Sequence, residues 1–143
     1  MVRSFEFRGV WEVAAPVEAV RDVLVDLERY PEWWPQVVAV ASLGPEHARV
    51  LCRSALPYTL DLVLQAESRE APLLEVSVGG DLSGSVRWRL SDGLSGTRLD
   101  FAQEVSVESR PLGLASYVAR PVLRWNHDRM MAGCVAGLRA QLA

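Results

Sequence analysis

Two polar side chains occupy positions where the sequence pattern otherwise places apolar residues. His127 lies on an apolar helical stripe, and Gln103 takes an inward strand position between Phe101 and Val105. An imidazole there can donate a hydrogen bond or transfer a proton, because its ordinary pKa lies near neutrality. A buried amide needs a partner, and His127, a water molecule or a ligand would each supply one to Gln103. His127 is therefore the candidate catalytic residue, with a satisfied core histidine as the alternative.

Several aromatic and thioether side chains would suit a flat apolar ligand, with the Tyr58 hydroxyl providing orientation. Such residues at core-facing positions also serve as ordinary packing, so both interpretations stay open. The candidate ligand-binding residues are His127, Gln103, Tyr58, Trp88, Phe101, Trp11, Trp34, Leu123, Met130 and Met131.

The motifs of several enzyme classes are absent from the sequence. It contains no Gly-x-Gly-x-x-Gly, phosphate-binding loop, nucleophile elbow, Cys-x-x-Cys or His-Glu-x-x-His. Neither histidine has metal-ligand partners nearby in sequence, so we predict no metal site, and no motif indicates a cofactor. All 15 basic residues are arginine, which removes Schiff-base lysine chemistry.

Length and composition predict one folded domain over residues 1–143. Half of the residues are hydrophobic and 23% are charged, which is ordinary for a globular protein. The net charge of −3 gives no electrostatic footprint for nucleic acid. No apolar run approaches the roughly 18 residues of a membrane helix, and the first residues lack an apolar signal core. We therefore expect no integral membrane segment and a cytoplasmic location, while the oligomeric state stays unknown.

Strand-like alternation begins near the N-terminus and continues after residue 36. Phe5, Phe7, Gly9, Trp11 and Val13 alternate with polar neighbours, which predicts a first strand with one face on the core. Pro16 and helical spacing through Leu27 then predict a helix over about residues 16–28, followed by a short turn that Pro35 closes. Five further segments, separated by turns, show the same two-residue alternation. Their core-facing sets are Val50/Cys52/Ser54, Leu60/Leu62/Leu64/Ala66, Leu74/Val76/Val78, Leu82/Gly84/Val86/Trp88/Leu90 and Leu99/Phe101/Gln103/Val105.

A long amphipathic helix from about Leu112 to Leu142 closes the chain, and Pro121 should kink or interrupt it. After Pro121, the apolar positions and His127 fall within a sector about 120° wide, and this sector should meet the sheet. A helix of about 30 residues spans roughly 45 Å, enough to cross a curved antiparallel sheet and leave a cavity beneath it. Trp125 and Arg129 project to the other side of the helix.

Two neighbouring segments carry a family resemblance: Ala15-Pro16-Val17-Glu18-Ala19-Val20, and Val25-Asp26-Leu27-Glu28-Arg29-Tyr30-Pro31-Glu32-Trp33-Trp34-Pro35. The segments Leu82-Ser83-Gly84-Ser85-Val86-Arg87-Trp88 and Trp125-Asn126-His127-Asp128 agree with it. Over essentially its whole length the chain resembles the polyketide cyclase/dehydrase and coenzyme Q-binding branch of the START-like (helix-grip, SRPBCC) superfamily.

The resemblance implies an α+β helix-grip fold, with a seven-stranded curved antiparallel sheet around a long C-terminal helix and two short helices after strand 1. It also implies a cavity entrance near those short helices, close to Trp33 and Trp34. Cyclases of the superfamily are similar in using a few polar cavity residues to orient and dehydrate a polyketide. His127, Gln103 and Tyr58 are the residues that match this role here.

The function predicted from these observations is binding of a small apolar ligand, such as a lipid, a quinone or a polyketide-like molecule, between the sheet and the C-terminal helix. One alternative is a polyketide aromatase/cyclase or dehydratase that uses His127 as acid and base. Another is a protein-interaction module that presents Trp33, Trp34 or Trp125 on its surface.

Overall fold

The computed structural model describes residues 3–53, 59–107 and 120–143. Its elements, in chain order, are β1 (Arg3–Val13), α1 (Val17–Val25), a 3₁₀ turn (Leu27–Arg29), α2 (Tyr30–Trp33), β2 (Val37–Gly44), β3 (His47–Arg53), β4 (Thr59–Ser68), β5 (Leu73–Gly80), β6 (Ser83–Asp92), β7 (Thr97–Val107) and α3 (Arg120–Gln141).

The seven strands form one antiparallel sheet in the order β1-β7-β6-β5-β4-β3-β2. Strands β2 to β7 follow each other as hairpins, and β1 pairs with β7 along its whole length, from Arg3 opposite Val107 to Val13 opposite Thr97. The sheet is open and curves around α3. The predicted α+β helix-grip fold, with short helices after the first strand, is confirmed.

Period-two alternation separates the two faces of the sheet. In β6, Trp88 and Leu90 are buried while Arg87 and Arg89 are exposed, and in β7, Leu99 and Phe101 are buried. The inner face therefore carries the apolar residues that the sequence predicted, and the arginines cover the solvent side. Ser54, from the first predicted set, lies outside the described residues. Thr97 is the buried polar exception, and its hydroxyl donates to the Ala15 carbonyl at 2.7 Å.

The segment after β1 is shorter and more broken than the predicted helix over residues 16–28. Helix α1 ends at Val25, because Asp26 adopts ψ of 76°, outside the helical region. A 3₁₀ turn and the four-residue α2 follow, and Pro31 sits in the first turn of α2, where its missing N–H costs nothing. Trp33 and Tyr30 are buried by this arrangement.

Helix α3 contributes its predicted apolar stripe to the core. Met131, Cys134 and Leu138 are buried, whereas Trp125 is 49% exposed and the Arg129 guanidinium lies 5.4 Å above its ring. Pro121 lies in the first described turn, and the predicted helical residues 112–119 fall outside the described residues. None of the helices within the described ranges is long and apolar enough to cross a membrane.

Two glycines on α3 allow α2 and the segment that follows it to approach closely. A methyl group at Gly137 would lie 1.7 Å from the Trp33 carbonyl oxygen, and one at Gly133 would lie 2.2 Å from the Gln36 side-chain oxygen. The first obstacle is backbone and the second is the end of a flexible side chain. The C-terminal half of α3 is therefore held against α2 through direct backbone contact at Gly137.

We predict that Gly137→Ala lowers the free energy of unfolding by about 1–3 kcal/mol, the usual cost of overpacking. The methyl group must push the Trp33 backbone away, and this outweighs the gain of about 1 kcal/mol in helix propensity. Urea unfolding at constant m value measures the change. Gly133→Ala is the matched control, because Gln36 can rotate away, and it should be neutral or stabilising. Equal stability of the two variants would contradict the backbone contact.

Candidate functional site

A cavity of about 240 Å³ lies between the inner face of the sheet and α3. Its wall takes residues from all seven strands and from all three helices, and it is mainly apolar. The aliphatic part comes largely from β4 to β6 and includes Leu60, Leu62, Leu64, Val78 and Val86. The C-terminal half of α3 packs tightly on the core, so the space opens beneath the half that carries His127.

His127 and Gln103 meet in the wall of this cavity. The His127 Nε2 atom lies 3.1 Å from the Gln103 Oε1 atom, and both side chains line the cavity. Because a carbonyl oxygen only accepts, the imidazole carries its proton on Nε2 and donates it to the amide. Of the partners that the sequence left open for Gln103, the structure places His127 within hydrogen-bond distance.

Aromatic rings fix the plane of the imidazole. The ring of Phe7 stacks on His127 with centroids 3.9 Å apart and an angle of 11° between planes, and Phe101 lies 5.8 Å away. Phe7 is also the cross-strand neighbour of Gln103 in the β1–β7 pair. The register of two strands thus brings the amide and the stacking ring to the same point under α3.

Burial keeps His127 neutral at physiological pH. It lowers the pKa of His127 to about 4; the neighbouring Asp128 carboxylate acts in the opposite direction and the Arg124 guanidinium in the same direction. The Asp128 oxygen is 4.0 Å from Nδ1 and its side chain is 71% exposed, so solvent weakens its influence. The site therefore holds an uncharged hydrogen-bonding group.

Other polar groups of the wall are engaged in the fold. The Tyr30 hydroxyl donates to the Leu24 carbonyl, and burial, with smaller effects of Cys134 and Asp26, raises its pKa. The Trp34 indole nitrogen donates to the Met130 carbonyl at 3.0 Å, which ties α2 to α3. Burial raises the pKa of Cys52 to about 11, so this thiol stays protonated and unreactive.

The structure brings most of the predicted site residues to one cavity. His127, Gln103, Trp88, Phe101, Trp34, Met130 and Met131 line it. Trp11 does not, because its indole lies over Gly9 and packs against Trp88 and Phe101, with centroids 6.2 and 6.0 Å away. Tyr58 and the side chain of Leu123 lie outside the described residues.

Sequence reasoning missed two residues beside the imidazole. Phe7 was recognised only as an inward strand residue, and Asn126, which is 7% exposed and lines the cavity, was not singled out. The position of Asn126 directly before His127 is the sequence signal that would have found it. Among the residues that the structure describes, no three His, Cys, Asp or Glu side chains come together to hold a metal ion.

Comparisons with known proteins agree with this geometry. The family model described as polyketide cyclase/dehydrase and lipid transport matches residues 4–142. No curated protein matches the sequence.

Solved structures with this fold come from several bacteria. A START superfamily protein of Mycobacterium smegmatis superimposes with a TM-score of 0.73 at 16% identity, covering 99% of this chain and 96% of that one. A Thermus thermophilus protein gives 0.77 at 18%, covering 96% and 99%. The Zhui aromatase/cyclase of Streptomyces sp. R1128 gives 0.68 at 17%, covering 99% and 94%. At these identities the likeness concerns the fold.

The neutral state of His127 predicts a specific pH dependence of stability. Between pH 6.5 and about 4, His127 binds a proton in the unfolded chain but stays neutral in the folded chain. The free energy of unfolding therefore falls as the pH is lowered through this window. The decrease reaches up to ~3 kcal/mol. His127→Gln should remove it, as measured by urea unfolding at several pH values.

The exposed His47 offers the matched control, and His47→Gln should keep the pH dependence of the natural chain. The natural chain and both variants carry the same acidic residues, so the difference between curves isolates His127. Parallel curves for the natural chain and His127→Gln would contradict a desolvated imidazole.

Proposed function

This chain belongs to the polyketide cyclase/dehydrase and lipid transport family, and from that premise we propose that it binds a compact apolar molecule in the cavity between the sheet and α3. The observation that carries the proposal is the apolar space of about 240 Å³ beneath α3. The proposed ligand is a lipid, quinone or polyketide-like molecule.

The size of the cavity supports a small ligand. Its 240 Å³ exceeds the roughly 150 Å³ that suffices for benzene, and falls below the roughly 300–1,000 Å³ of pockets for drug-sized molecules. Two fused rings or a short acyl chain match this range. A ligand of that size would bury its apolar surface against β4, β6 and α3.

The energetic cost of the cavity also supports a ligand. The apolar side chains that face this space of 240 Å³ forgo the packing contacts that a filled core would give them. Total stabilities of small domains are only about 5–15 kcal/mol. A sequence under selection for stability alone would fill the space with a larger side chain at Ala66 or Val86, both of which line it.

A second candidate is an aromatase/cyclase or dehydratase, favoured by the presence of the His127–Gln103 pair in the cavity wall. In this function, His127 would abstract or return a proton while Gln103 orients a carbonyl. A depressed imidazole pKa makes His127 a weak base and removes the charged acid form at neutral pH. Ligand binding is therefore the better supported of the two functions.

The third candidate, a protein-interaction module, has less support. Trp33 is 7% exposed and Trp34 is hydrogen-bonded to α3, so neither indole offers a free surface. Trp125 remains, with its ring under the Arg129 guanidinium. A single exposed indole is ordinary for a protein surface and indicates no partner.

Ligand binding predicts a thermal shift that a cavity-filling substitution abolishes. Compact bicyclic hydrocarbons, ketones and quinones should stabilise the natural chain by about 2.7 kcal/mol at a hundredfold excess over Kd. Ala66→Phe should lose this response, because Ala66 lines the cavity. Differential scanning fluorimetry with native mass spectrometry measures both effects.

Gln65→Phe is the matched control, since it adds the same ring at the neighbouring, exposed position. It should respond to the compounds as the natural chain does. If no compound shifts the natural chain and no adduct is seen, or if Ala66→Phe responds fully, the proposal of a ligand in this cavity fails.

The cyclase alternative predicts turnover of a poly-β-ketone substrate that depends on His127. His127→Ala should then lower kcat by about 100-fold or more, the usual contribution of general acid–base catalysis, with less effect on substrate affinity. Product formation followed by mass spectrometry measures this. Turnover equal to that of the natural chain would exclude His127 as the acid and base.

A further inference from the structure

We propose that the Gln103 amide hydrogen-bonds to the polar group of the ligand, so that the cavity prefers an uncharged ring compound with one carbonyl-type acceptor. His127 acts as a positioning residue for the Gln103 amide. This inference rests on the proposed function, ligand binding in the cavity, and deepens it by naming the ligand class and the residue that selects it.

The first step concerns the orientation of the amide. The Gln103 carbonyl oxygen accepts a hydrogen bond from the His127 Nε2–H group at 3.1 Å. With the imidazole as the Nε2–H tautomer, a reversed amide would bring N–H donors against this donor, which is unfavourable. The Nε2–H tautomer of His127 and this orientation of the Gln103 amide therefore go together.

The second step concerns the rigidity of the imidazole. Phe7 stacks on its face at 3.9 Å between centroids, and Phe101 lies 5.8 Å away. Because these rings hold the imidazole in one plane, the His127 Nε2–H group keeps one direction. The hydrogen bond along that direction then holds the Gln103 amide in place. Burial at this position disfavours the charged form of the imidazole.

The third step concerns the donors that remain. With its oxygen bonded to His127, Gln103 offers only its NH₂ group to the cavity that it lines. Within the described part of the chain, no hydrogen bond from this NH₂ group is found. A donor that has no bonded acceptor among the described residues, in a mainly apolar wall, gains most from an acceptor that the ligand brings.

The fourth step excludes anions at this end of the cavity. The neighbours of Gln103 are the apolar Phe7 and Val86 and the neutral His127. Arg69 is the one arginine among the described lining residues, and it follows the end of β4. The Arg124 guanidinium lies 5.8 Å from the centroid of the Phe7 ring, but Arg124 is exposed and is not part of the wall. A carboxylate beside Gln103 would lose its hydration and gain only this hydrated guanidinium, behind the Phe7 ring, as a counter-charge.

The test compares three probes of equal ring size: tetralin, 1-tetralone and tetralin-1-carboxylate. Tetralin reports on the cavity itself, and the ratio of ketone to hydrocarbon affinity reports on the donor. Dissociation constants are measured by isothermal titration calorimetry at pH 7.5. In the natural chain the carboxylate should bind at least tenfold more weakly than the ketone.

Gln103→Leu should lower the ketone-to-hydrocarbon ratio roughly three- to tenfold, the value of one net hydrogen bond. Gln65→Leu, the same substitution at an exposed position, should leave the ratio as in the natural chain. His127→Phe keeps a stacking ring without a donor and should lower the ratio, whereas His127→Gln restores a donor and should recover it. A purely structural role of His127 would change both affinities together and leave the ratio unaffected.

A ratio that is unchanged in Gln103→Leu, or a carboxylate that binds as tightly as the ketone, overturns this inference while leaving the proposed function intact. Failure of tetralin and 1-tetralone alike to bind the natural chain overturns both. Recovery of the ratio in His127→Gln but not in His127→Phe supports the positioning role of His127.

Discussion

The backbone contact between α2 and α3 at Gly137 is the constraint on which the cavity depends. Because residue 137 has no side chain, the Trp33 carbonyl lies where a Cβ atom would otherwise stand. The same end of α3 buries Cys134 and Leu138 completely. Trp34 adds a hydrogen bond to Met130, one turn after His127. The helix is thus held firmly on one side of the cavity, and the space beneath its other half stays open.

The register of β1 and β7 decides what lines that space. Phe7 and Gln103 are direct neighbours across the two strands, so a stacking ring and an amide reach the cavity at the same level. A slip of β1 by one residue would place Arg8 there in place of Phe7, and a slip of β7 would place Glu104 there in place of Gln103. The β1–β7 pairing therefore connects the sheet topology to the chemistry of the site.

Much of this arrangement is predictable from the sequence, and the limits have physical causes. Alternation in β6 and β7 reveals the inner face because one side of the sheet is solvated, and the helical stripe reveals His127. The position of Trp11 is not predictable, because its indole enters the space that Gly9 leaves, and this depends on a side-chain rotamer. The end of α1 was also missed, since local backbone geometry at Asp26 overrides a helical pattern that extends to Leu27.

The balance between desolvation and a nearby carboxylate determines whether such a cavity carries or converts its ligand. In this chain, burial lowers the pKa of His127 further than Asp128 raises it, because the Asp128 carboxylate is 4.0 Å away and largely hydrated. A carboxylate buried against Nδ1 would favour the charged imidazole and make His127 an effective acid and base near neutral pH. The present geometry instead keeps a neutral ring whose proton is committed to Gln103. In the proposed function the polar pair serves recognition, because a group that neither gains nor loses a proton at neutral pH can orient a carbonyl without reacting with it.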